Sequence, residues 1–142
     1  TLPFDLDLST EGFFARCSSE LDGNHDAQLD EIATLLSELA PTAITVMGHS
    51  DQRPITAGAC RKRYGDNTAL SAVRAQAFTE LIAPRLRGIE ASSIEAVGLG
   101  SLQPRVDCSS DDSEICHSRN RRVTLRMSGA KAIDFDLSCA GK

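Results

Sequence analysis

The triplet His49-Ser50-Asp51 contains the side-chain types of a nucleophilic triad and stands at the end of an apolar run. Successive residues of a strand point to alternate sides, so His49 and Asp51 share one side and Ser50 faces the other. The three cannot converge, and no nucleophile-elbow motif accompanies His25 or His117. His49 therefore reads as a buried, hydrogen-bonded strand residue, and no enzyme is expected. What remains is the Asp51 carboxylate and, further on, the Arg74 guanidinium, two turns into a helical segment that opens at Asn67 or Thr68. A strand end and a helix start can meet at one cleft. That would set Asp51 and Arg74 either in an ion pair or around a ligand.

Five cysteines in 142 residues lean towards an oxidising compartment. Cys108 and Cys116 bracket the polar loop Ser-Ser-Asp-Asp-Ser-Glu-Ile, which a disulfide would staple. A zinc site built from Cys108, Cys116 and His117 lacks a clean fourth ligand, so no metal or cofactor is expected. Cys17, Cys60 and Cys139 leave at least one thiol free or paired between chains. A Cys17–Cys139 bridge would require the two ends of the chain to meet.

A net charge of −5, no Trp and a single Tyr argue against nucleic acid as a partner. The basic residues are nonetheless clustered, in Arg61-Lys62-Arg63 and in Arg119, Arg121, Arg122 and Arg126, so local patches could collect an anion. Apolar stretches such as Ala43 to Met47 are too short to cross a bilayer. Any membrane attachment is expected through a segment outside these residues.

The elements that must position these groups follow from periodicity. Leu2 to Leu8 alternates as a strand. Leu29, Ile32, Leu35, Leu36 and Leu39 recur at helical spacing until Pro41, and Ala43 to Gly48 reads as a short buried strand. Residues 50–67 lack periodicity and read as a long loop. A second helix follows, with Leu70, Val73, Ala77, Leu81 and Ile82 as its apolar stripe. Ile94 to Val97 is a strand, Gly98-Leu99-Gly100 a turn, 102–118 a second long loop and Arg122 to Met127 a core strand. Ile133 to Leu137 is a possible last strand. The order β-α-β-α-β-β implies one α+β domain over residues 1–142, a mixed sheet with two main helices packed on one face.

Four pieces occur in a specific order: Gly48-His49-Ser50-Asp51, then Asn67 through Ala75, then Gly98-Leu99-Gly100-Ser101 with Pro104, then Asn120-Arg121-Arg122-Val123. Together they resemble the OmpA-like peptidoglycan-binding domain of OmpA C-termini, Pal lipoproteins and MotB-type stators, over roughly residues 13–127. The resemblance implies a periplasmic, non-catalytic domain that anchors a membrane protein or complex to the wall. It implies that Asp51 and Arg74 hold the zwitterionic end of meso-diaminopimelate in the peptidoglycan stem peptide. The carboxylate would accept from the ammonium and the guanidinium would fork onto the carboxylate. Asn67 and Ser50 could add polar contacts, and Arg121 or Arg122, whichever the register turns inward, would support the pocket. A protein-interaction module without wall binding is the alternative. Stator-type relatives dimerise, which leaves a homodimer open. The loop over 51–67 looks longer than the usual family version, and residues 128–142 lie beyond the resemblance.

Overall fold

The computed structural model describes residues 4–9, 14, 17–20, 24–55 and 58–130. In chain order its elements are β1 (Phe4–Ser9), α1 (Asp26–Leu39), β2 (Ala43–His49), α2 (Gly58–Tyr64), α3 (Asn67–Ile82), β3 (Ile94–Gly98), α4 (Glu114–Ser118) and β4 (Arg122–Ser128). Short 3-10 turns at Ala83–Arg85 and Ala91–Ser93 link α3 to β3. The sheet order is β1-β4-β2-β3, with β2 and β3 parallel and the other pairs antiparallel. A parallel pair needs a crossover, and α3 supplies it. The α+β class and mixed sheet agree with the expectation. The strand expected at 133–137 lies outside the described residues.

The apolar spacing of α1 puts Leu29, Ala33, Leu36 and Leu39 in one buried stripe, with Ile32 and Leu35 at its margin. Ala40 closes the helix in the left-handed region at φ 46°, its N–H donating to the Leu36 carbonyl, and Pro41 follows. Ile44 and Val46 of β2 and Val123, Leu125 and Met127 of β4 meet that stripe. Ala75, Phe78 and Ile82 of α3 complete the same core, so both long helices cover one face of the sheet. Each large apolar side chain buried there contributes about 1.5–3 kcal/mol.

Four expectations need correction. The buried face of α3 is Leu70, Ser71, Ala75, Phe78 and Ile82, whereas Val73 is 42% exposed. The helix is rotated to bring Ser71 and Ala72 onto the strand ends, a contact that sequence periodicity does not encode. Asp66 rather than Asn67 or Thr68 caps α3, accepting from the Ala69 N–H at 2.8 Å. The two segments expected as loops each carry a short helix, α2 and α4. α2 has no buried residue, so no apolar stripe announced it. Finally, Cys17 is bonded to Cys60, not to Cys139, which lies outside the described residues. The expected Cys108–Cys116 bridge is present.

Candidate functional site

The site sits where α3 crosses the carboxyl ends of β2 and β3. Two glycines permit that crossing. A Cβ on Gly48 would stand 2.2 Å from the Ser71 carbonyl oxygen, and one on Gly98 would stand 2.4 Å from the Ala72 nitrogen. Gly98, expected as a turn residue, thus serves close helix–strand packing. Beyond the strands the parallel pairing continues for one step. Leu99 N–H donates to the Gly48 carbonyl at 2.9 Å, and Ser50 N–H donates to Gly100 at 2.8 Å. Ser50 is buried, and its hydroxyl donates to the Asp51 carbonyl at 3.0 Å, so it braces the backbone that presents Asp51.

Asp51 accepts from three directions. The Arg53 backbone N–H reaches Oδ1 at 2.9 Å, forming a tight turn that Pro54 follows. The Arg53 guanidinium reaches Oδ2 at 2.8 Å through Nη2, and Arg121 reaches the same oxygen at 2.9 Å through Nη1. Both guanidiniums also pair with Glu114 at the start of α4, Arg53 through Nη1 at 3.1 Å and Arg121 through Nη2. Asp51, Arg53, Glu114 and Arg121 thereby form a closed ring of alternating charge. Burial, the largest single influence on Asp51, raises its pKa. The Arg53 and Arg121 donors together outweigh it and hold the carboxyl below its ordinary value of 3.8.

Asn67 donates from Nδ2 to the Arg53 carbonyl at 2.7 Å, locking the Asp51–Arg53 turn onto the start of α3. Arg74 donates from Nε to the Ser18 carbonyl at 2.8 Å, and its guanidinium lies 5.5 Å from the Phe14 ring centroid. Burial and then the positive field of Arg121 push its pKa below the ordinary arginine value, while Tyr64 and Asp51 act the other way. Asp51, Arg74 and Arg121 therefore share one electrostatic neighbourhood. Strand register separates the two trailing arginines. Arg121 precedes β4 and turns to Asp51. Arg122 pairs with His49 across β4 and β2, is buried, and donates from Nη2 to the Gln103 carbonyl at 3.2 Å. His49 is buried against Thr124, Nε2 to Oγ1 3.1 Å.

Two contributors were not singled out in the sequence. Arg53 is one, and its only signal is a basic side chain two residues beyond Asp51 in a Pro-containing turn. Glu114 is the second, hidden in a stretch with no periodicity. Asn120, which opens the fourth motif but was given no role there, is completely buried. Its Oδ1 accepts from the Arg105 and Val106 N–H groups at 2.8 and 3.0 Å, folding the loop before α4 back towards the site. Gln52 ties that loop down as well, its Oε1 accepting from Cys108 N–H at 3.1 Å.

The Asp51 carboxylate thus stands just beyond β2 within a ring of charge, beside the helix laid across the ends of the parallel strand pair. The OmpA family model matches residues 13–120, and the chain belongs to that family. It is 31% identical over 127 residues to the peptidoglycan-associated lipoprotein of Agrobacterium fabrum, covering 89% of this chain and 64% of that protein. The lipoprotein of the same name from Rhizobium meliloti is 28% identical over 127 residues, covering 89% and 65%. The chain thus spans less than two thirds of the length of these relatives. Among solved structures, a putative MotB-like protein from Desulfovibrio vulgaris superposes with a TM-score of 0.74 at 28% identity, covering 89% of this chain and 75% of that one. The cell wall anchor of the T6SS from Pseudomonas aeruginosa gives 0.74 at 27% identity, covering 91% and 82%.

Proposed function

We propose that this chain is a non-catalytic, periplasmic peptidoglycan-binding domain that tethers an envelope protein or complex to the wall, and that it takes the meso-diaminopimelate of the stem peptide at Asp51 and Arg74. The observation that carries this reading is the shielded Asp51 carboxylate paired with Arg121 at the strand ends, in an electrostatic field that Arg74 also feels. The free end of diaminopimelate bears an ammonium and a carboxylate on one carbon. Asp51 suits the ammonium, and Arg74 suits the carboxylate through a planar fork. Arg121 holds Asp51 ionised, and Asn67 fixes the turn that presents it. The peptidoglycan-associated lipoproteins and the cell wall anchor among the similar proteins point to the same kind of target.

Sedimentation with diaminopimelate-type sacculi tests the reading. Wild type should pellet, while folded Asp51→Ala and Arg74→Ala should stay in solution. Equal pelleting of all three would move binding to another surface. If the wild type itself stays soluble, wall binding is refuted and an interaction module takes its place.

A further inference from the structure

Arg74 is held by a segment that the ligand-site reading does not use. Its Nε–H donates to the Ser18 carbonyl at 2.8 Å and its guanidinium faces the Phe14 ring. Cys17, the residue before Ser18, is bonded to Cys60 in α2. One residue beyond, Ser19 N–H donates to the Tyr64 hydroxyl at the end of the same helix, at 3.1 Å. The segment is therefore attached to α2 on both sides of the carbonyl that Arg74 uses. Cys17 itself lies at φ 58°, in the left-handed region that a residue with a Cβ adopts only at a cost. α2 has no buried residue, so no apolar anchor of its own fixes it. The covalent bond, with the Ser19–Tyr64 hydrogen bond beside it, ties α2 to the segment that carries the Ser18 carbonyl.

We infer that Phe14 and the Cys17–Cys60 disulfide are positioning elements for Arg74, so that capture of the ligand's carboxylate requires this bridge to be closed. The inference rests on the assignment of Arg74 to the ligand site. A long arginine side chain left to itself loses rotamer freedom on binding, and pre-ordering it removes that cost from the binding step. Phe14 offers its π face to the guanidinium while the Ser18 carbonyl takes Nε–H, and together they fix the plane in which the guanidinium meets a carboxylate. Opening the bridge is a two-electron step. A dithiol gives two electrons and two protons, the Cys17–Cys60 S–S bond breaks to two thiols, and the dithiol closes to its own disulfide. Wall attachment through this site is thereby sensitive to a thiol reductant.

The test pairs a ligand-free readout with a binding readout on the full chain. The Arg74 Nε–H signal, assigned by its loss in Arg74→Lys, is followed by nitrogen-resolved NMR. Affinity is measured for the tripeptide L-Ala-γ-D-Glu-meso-diaminopimelate. In Cys17→Ser/Cys60→Ser and in Phe14→Leu the Nε–H should lose its slow exchange, and affinity should fall about three- to tenfold. Phe14→Tyr, which keeps the π face, should restore both. An unchanged Nε–H and affinity in the double serine variant would overturn the inference. Should that variant fail to fold, as judged by its melting curve, Phe14→Leu beside Phe14→Tyr decides. If the tripeptide fails to bind even wild type while the Nε–H responds as expected, the functional assignment falls and the positioning role stands.

Discussion

Replacing Asp51 by Asn keeps the shape of the side chain and removes its charge. The carboxylate takes hydrogen bonds from the Arg53 backbone, the Arg53 guanidinium and Arg121, and its side chain is only 13% exposed. Hydrogen bonds to charged groups contribute ~1.5–3 kcal/mol, against ~0.5–1.5 for neutral ones. Asn can still accept from the Arg53 N–H, but its NH2 then faces guanidinium donors. Glu114 remains to pair with both arginines, which are 35% and 24% exposed, so water and Glu114 limit the loss. A destabilisation of about 1–2 kcal/mol follows. Binding should suffer more, because an incoming ammonium loses its ionised partner, a loss of ~1.5–3 kcal/mol or about 10- to 150-fold. The balance of charge also changes. Arg53 and Arg121 would keep Glu114 as their shared carboxylate and the site would lose one negative charge, so it should repel the ammonium and accept simple carboxylates indiscriminately. Calorimetry with the diaminopimelate tripeptide at two ionic strengths, beside urea unfolding, measures both effects. An Asp51→Asn protein that loses the expected stability yet binds within twofold of wild type would show that the carboxylate is a structural brace and not a ligand group.

Two further outcomes follow from the same geometry. Asp51 is held below 3.8, and Glu114, through Arg121 above all, is held below its ordinary 4.5. For a depressed carboxyl the stabilisation is complete above the unfolded value and is lost as pH falls through the lower folded one. The urea midpoint should therefore stay level from neutral pH to about pH 5 and decline below about pH 4, with a shallower acid limb in Asp51→Asn. A level midpoint through pH 3 would contradict the ring of charge. Gly98→Ala would press a methyl group onto the Ala72 backbone of α3, which cannot rotate aside. It should cost ~3 kcal/mol, lower Tm by roughly 6–12 °C and weaken tripeptide binding, because Arg74 lies two residues along the displaced helix. A normal melting curve would show that the helix can lift from the strand freely.

Much of the fold was legible because it rests on local periodicity. Five leucine and isoleucine positions at helical spacing marked α1, and three of them, Leu29, Leu36 and Leu39, are buried, with Ile32 and Leu35 at the margin. The apolar runs at Ala43 and Arg122 marked the central strands β2 and β4. The short helices α2 and α4 escaped, since a helix held by a disulfide or by ion pairs needs no apolar stripe. The face of α3 was misjudged at Val73 because its rotation is fixed by Gly48 and Gly98, which belong to other elements.

For the candidate site the division is similar. The sequence by itself determined which groups are available and that a strand end and a helix start carry them: Asp51 after Gly48-His49-Ser50, Arg74 in the helix, and an arginine pair before the last strand. Only the tertiary structure decided which groups meet. It turned Arg121 to Asp51 and Arg122 to Gln103, brought in Arg53 and Glu114, and joined Cys17 to Cys60 beside Arg74. The physical reason is range. Periodicity and capping act over a few residues and are written in neighbouring letters. Ion pairs, disulfides and backbone close approach join residues tens of positions apart, and they depend on strand register and helix rotation, which the packed core sets.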